Sequence, residues 1–139
     1  MIQTLKSKKG VTLVELLAVI VILGIIAAIA VPAIGGLIER QQERAAGASF
    51  TAVEQAAKTY ALSESETDFT VDDLVPDYLD KQPFDLVYGV VTITAADILI
   101  NVNGNVVTFT IAASVAGWVD GTELQINGYD VGIGVNKAS

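Results

Sequence analysis

A chain of 139 residues has room for one small domain and an appendage. With 52% hydrophobic residues and a mean hydropathy of +0.54 it is too apolar for a soluble domain of this size, which points to a membrane segment. It contains neither Cys nor His, which removes thiol nucleophiles, imidazole bases, disulfides and the usual zinc and haem ligands; no cofactor is expected, and the C-terminal half must hold by packing and hydrogen bonds alone.

The first ten residues, MIQTLKSKKG, hold three of the eight basic residues, Lys6, Lys8 and Lys9. From Leu16 to Ile38 follow 23 residues without a charge. As helix they would run about 34 Å, enough to cross a hydrocarbon core of about 30 Å. Lysines precede this segment and the acidic bulk follows it, so the N-terminus is expected in the cytoplasm and the rest outside. Without the first ten residues, five basic residues stand against sixteen acidic ones, a net charge of −11. That balance argues against a general nucleic-acid surface; direct nucleic-acid binding through a local basic patch of an assembled polymer stays open.

From Glu39 to Leu62 the text turns polar but stays helix-forming, and Ala46, Phe50, Val53, Ala57 and Tyr60 recur at steps of four and three. That spacing predicts one long helix, apolar all round in its first half and amphipathic in its second. Residues 63–85 read as a connecting loop, with a capping-box pattern at Thr70–Asp73 and Pro76 and Pro83 as helix breakers. From Leu86 the period falls to two. Val87–Ile93 reads as a strand, and Ile98–Val102 and Val106–Ile111 as a hairpin around Asn103-Gly104. Asp120-Gly121 is a second turn candidate, between Trp118-Val119 and Leu124–Ile126, and Tyr129–Val135 an edge strand or loop. The expected fold is α+β: a long N-terminal helix covering one face of a small antiparallel sheet of three to five strands in residues 86–139.

The segment KKGVTLVELLAVIVILGIIAAIAVP, Lys8 to Pro32, resembles the class III signal peptide and N-terminal helix of type IV pilins and pseudopilins, and DLVPDYLDKQP, Asp73 to Pro83, resembles a loop seen in many of them. The resemblance implies a leader of residues 1–10 cut after Gly10 by a prepilin peptidase that also methylates the new terminus. That terminus is Val11, where the family usually has Phe. Residues 11–38 then form a membrane and filament-core helix, 39–62 its amphipathic continuation. Glu15 falls at the family's glutamate, Gly24 at a common helix glycine and Pro32 at its proline; in pili of relatives this stretch can lose its helical form, which makes residues 24–32 the candidate here. The implied partners are further subunits in a homopolymer, the assembly platform with its ATPase, and the membrane before assembly. The implied function is that of a structural subunit, a major pilin on the cell surface. A pseudopilin of type II secretion or a subunit of a DNA-uptake filament is the alternative, since all share this N-terminal chemistry.

Glu15 also stands out on physical grounds. A carboxylate near a bilayer centre costs about 2.5–3.5 kcal/mol, less toward the interface. No basic residue lies between Lys9 and Arg40 to pair with it. Cleavage after Gly10 would create a cationic amine at Val11, and the expected role of Glu15 is to neutralise that amine on a neighbouring subunit.

An ordinary signal peptide cut at Ala28-Ile29-Ala30 is the first rival; the apolar run is long for one and Glu15 interrupts it. An uncut, single-pass anchored binding domain is the second. An enzyme is not expected, because Asp72, Asp73, Asp77 and Asp80 have no basic or metal-ligating partner set. Asp120, Glu123 and Asp130 lie where some pseudopilins bind calcium but lack the D-x-D-x-D-G spacing, so no metal is expected. Beyond the leader no aromatic residue precedes Phe50, which leaves the helix without an aromatic path for electrons.

Overall fold

The computed structural model describes the backbone from Lys9 and side chains from Thr12 through Ser139; residues 1–8 of the expected leader lie outside the described residues. One helix, α1, runs Lys9–Glu64, with Pro32 inside it. It stops where Ser65 enters the left-handed region at φ 58°, which no continuing helix allows.

Along residues 12–38 of α1, apolar on all sides, nearly every described side chain is exposed. From Gln42 onward the helix belongs to the compact head. Ala46, Phe50, Val53, Ala56 and Ala57 are buried against the sheet and Tyr60 is half-buried, the face set by the four–three spacing.

The sheet has five strands: β1 (Asp68–Thr70), β4 (Ile98–Asn103), β5 (Val106–Ile111), β6 (Thr122–Ile126) and β7 (Tyr129–Lys137), in the order β1-β4-β5-β7-β6. The strands β2 (Val87–Tyr88) and β3 (Val91–Thr92) form a separate two-stranded hairpin. Alternation places Ile98, Ile100, Val102, Phe109 and Ile111 inward, with Leu74, Ile93, Leu124 and Val135 completing a core in which each such side chain contributes roughly 1.5–3 kcal/mol. Phe50 of the helix meets Phe109 of β5 at 5.3 Å and Phe84 of the connecting segment at 6.2 Å, a three-ring contact joining three parts of the chain.

Several expectations are corrected. Residues 63–85 are more than a loop, because β1 pairs with β4; the capping-box pattern at Thr70–Asp73 does start a 3₁₀ turn, Asp72–Leu74, beside which the Asp73 carboxylate accepts from the Thr70 N–H and Oγ at 2.7 Å each. Val87–Ile93 is not one strand, because Gly89 takes φ 64° and folds it into the β2–β3 hairpin. The β4–β5 turn is shifted by one residue. Asn103 pairs with Val106, so the two loop residues are Gly104 and Asn105, with positive φ at Gly104 alone, the form that places glycine first. Trp118-Val119 lies in a connection, not a strand. The tight turn expected at Asp120-Gly121 forms, with Thr122 N–H donating to the Val119 carbonyl at 3.1 Å, but the hairpin closes further on at Asn127-Gly128, where both residues have positive φ (54° and 80°).

The strand β7 is neither edge nor loop. It lies between β5 and β6, antiparallel to β6 and parallel to β5 through Thr110–Asn136 and Ile111–Lys137. This parallel pairing follows from the order of the chain. Residues 112–121 carry it past the vacant position to lay down β6 first, and the return strand fills the gap. Gly134 permits it, because a Cβ there would sit 2.9 Å from the Gly121 carbonyl oxygen.

With no disulfide available, carboxylates and one phenol tie down the C-terminal half. Asp85 accepts the N–H groups of Asn127 (3.1 Å) and Gly128 (2.7 Å). Asp120 accepts that of Lys137 at 2.8 Å, and Glu123 that of Gly132 at 3.1 Å. The outer edge of β6 is closed by the same segment: Asp85 N–H donates to the Gln125 carbonyl, and Gln125 N–H to the Tyr88 hydroxyl. Burial pushes the Tyr88 phenol up, and its ring stands edge-on to Trp118 at 5.2 Å. Replacing Asp85 by Ala should remove both turn contacts and lower stability by about 1–2 kcal/mol. For a domain of this size that is a fall in Tm of roughly 5–15 °C, measurable by thermal unfolding of the detergent-solubilised protein.

Candidate functional site: the leading part of the long helix

Gly10 and Val11 fall at the start of α1; the side chain of Val11 lies outside the described residues. Glu15 is one turn further along, in the same helix and exposed. Its neighbours along the helix face include Thr12, Ala18 and Val19, and among the residues whose side chains are described the first cation is Arg40, 25 positions on, about 37 Å along a helix. Among those residues Glu15 has no cationic partner.

Gly24 and Pro32 are both accommodated without a break in α1. Nothing lies within 4 Å of where a Cβ of Gly24 would be. Pro32 has no N–H to give to the Ala28 carbonyl, so one rung of the helical ladder is missing there. Leu16, Leu17, Ile20, Leu23, Ile25, Ile29, Val31 and Ile34 each expose half or more of their surface. The helix containing them is long and apolar enough to cross a membrane.

The other candidate groups are engaged locally. Asp73 accepts from Thr70, Asp120 and Glu123 hold backbone N–H groups, and Asp130 accepts from the Gln125 side chain at 2.8 Å. Among the described residues no cluster of three or more acids is arranged to hold a metal ion. Asp68 is the one carboxyl held below its usual range, by Asn101 Nδ2 at 2.6 Å and by the Thr67 hydroxyl, a contact that fastens β1 to β4.

A long N-terminal helix, apolar in its leading half and packed through its trailing half on a small, mostly antiparallel sheet, is an α+β arrangement of the pilin-like kind. Residues 5–31 match the prokaryotic N-terminal methylation motif, the class III signal peptide of type IV pilins, which supports a precursor of the type IV pilin or pseudopilin type. The match ends at Val31 and does not extend to the head. Neither curated proteins nor solved structures provide a match to the chain.

Proposed function

We propose that this protein is a structural subunit, the major pilin, of a type IV pilus: cut after Gly10, methylated on Val11, held in the membrane by α1 and polymerised through the same helix. The observation that carries the reading is the methylation motif at the start of a helix whose apolar half is exposed among the described residues. Apolar surface of that extent needs lipid or other helices around it. A bilayer supplies the first and a bundle of identical helices the second. Prepilin peptidase, the assembly platform and its ATPase are the partners this route requires.

In this reading Glu15 neutralises the Val11 amine of a neighbouring subunit, and Gly24 and Pro32 mark the stretch that can open and lengthen the helix in the filament. The pilin and pseudopilin readings share these steps. The absence of cysteine and the modest size support the major pilin. Electron microscopy of filaments sheared from cells, with their protein content identified, is expected to show long surface pili made of this chain; their absence from wild-type cells would count for the pseudopilin. Mass spectrometry of the mature protein should find Val11 at the N-terminus, carrying one methyl group. A terminus at Val31 would instead establish the ordinary signal peptide and sink the proposal.

A further inference from the structure

Where the uncharged part of α1 ends, the sequence reads Glu39-Arg40-Gln41-Gln42-Glu43-Arg44, the same charged pair repeated one helical turn later. In the helix Glu39 and Glu43 lie one above the other, and Arg40 and Arg44 form a parallel line about 100° further round the axis. Within one helix the two like pairs four apart repel by about 0.2–0.5 kcal/mol each, offset only by the Arg40–Glu43 spacing of three. The favourable spacing of four between opposite charges appears about three turns on, as Glu54 followed by Lys58. All four side chains of the repeat are exposed, and among the described residues none of them has an ion-pair or hydrogen-bond partner.

We infer that this double line of charge is a contact between copies of the chain: the Arg40/Arg44 line of one subunit docks on the Glu39/Glu43 line of the next. The inference rests on the filament reading above and specifies how parallel helices are placed beside one another at the outer end of the apolar segment. Charge complementarity selects the occupant. The two lines are opposite in sign, equal in spacing and carried by the same helix, so a second copy presents the complement of each line at the matching pitch. Two contacts pair unlike lines on parallel helices: a closed two-fold pair, in which each helix sets its Glu line beside the other's Arg line, and a heterologous contact. The filament reading takes the heterologous contact, which leaves one unpaired line at each end and so propagates into an open polymer. Beyond the leader the chain is strongly acidic, and its basic residues are too few to be spread without effect: two of the five lie in this one repeat.

The test uses full-length protein in the assembling cell. One variant carries Arg40→Glu with Arg44→Glu, a second Glu39→Arg with Glu43→Arg, and a third carries all four changes, which exchanges the two lines. Each of the first two, expressed alone, should be processed and accumulate in the membrane but lose filament yield by more than about tenfold, because every contact then opposes like charges. Co-expressing the two should restore filaments containing both proteins, and the exchanged variant should polymerise unaided. Wild-type yield from either double variant alone, or failure of both co-expression and exchange to restore assembly, would overturn the inference. If the wild-type chain itself forms no filament, the filament reading fails first, and that outcome is distinct from normal filaments made by the charge variants.

Discussion

Subunits carrying Glu15→Gln are expected to be cut after Gly10, to accumulate in the membrane and to be almost absent from filaments. Gln has the size and shape of Glu, keeps the carbonyl acceptor and is cheaper to hold in lipid, so neither helix formation nor membrane insertion should suffer. What it lacks is the charge. In the assembled state the Val11 amine would be buried among apolar helices, and leaving one member of a buried ion pair without its partner costs about 3–5 kcal/mol. At 1.4 kcal/mol per decade, that lowers the equilibrium for adding each subunit by two to three orders of magnitude. Immunoblots of membrane and sheared fractions measure both sides of the prediction. Filaments at the wild-type level would show that Glu15 has no role in assembly. The Glu15→Asp variant sharpens the test: it keeps the charge on a side chain one methylene shorter, and should recover part of the yield if the contact is electrostatic.

The parts of the fold that were legible in the sequence are those in which one physical pattern operates alone. A run without charge from Leu16 to Ile38 has no reading but a helix apolar all round, and the four–three spacing from Ala46 to Tyr60 defines the face that the head buries. The alternation in Ile98–Val102 and Val106–Ile111 likewise marks two paired strands. Misreadings arise where glycine serves two purposes. Gly132 and Gly134 resemble loop punctuation in Tyr129–Val135, yet one takes a left-handed turn of the backbone and the other admits the Gly121 carbonyl, both inside an interior strand. Asn103-Gly104 and Asn127-Gly128 are the same dipeptide. In the first, Asn103 is the last strand residue and Gly104 opens the turn, whereas in the second both residues form the turn. Which applies depends on the pairing register, a property of two strands that one segment does not contain. The candidate site is legible as a motif and incomplete as geometry for a related reason. Among the described residues Glu15 meets no cation, and the partners the reading assigns to it, Gly24 and Pro32 belong to other chains.

Replacing Phe50 by Ala is expected to have the largest effect on the head. Phe50 is buried on the inner face of α1 and touches both Phe84 and Phe109, so it joins the helix, the connecting segment and β5 at one point. Truncation removes a ring and leaves a cavity between elements, and Ala46, one turn away on the same face, is too small to fill it. The expected cost is about 3–5 kcal/mol, against a total of 5–15 kcal/mol for a domain of this kind. A Phe50→Leu variant, which keeps most of the volume, should lose less than half as much. Thermal unfolding of the detergent-solubilised protein gives the comparison, and equal losses in the two variants would show that the ring contacts are not what holds the helix to the sheet. In the cell the two kinds of damage should separate. A Phe50→Ala subunit, its head opened, should be degraded and scarce in the membrane, because the fraction unfolded rises by two to three decades for that loss. A Glu15→Gln subunit should be abundant there and merely unable to leave. Membrane abundance without filaments therefore diagnoses a fault in the helix that polymerises, and low abundance a fault in the head that it carries.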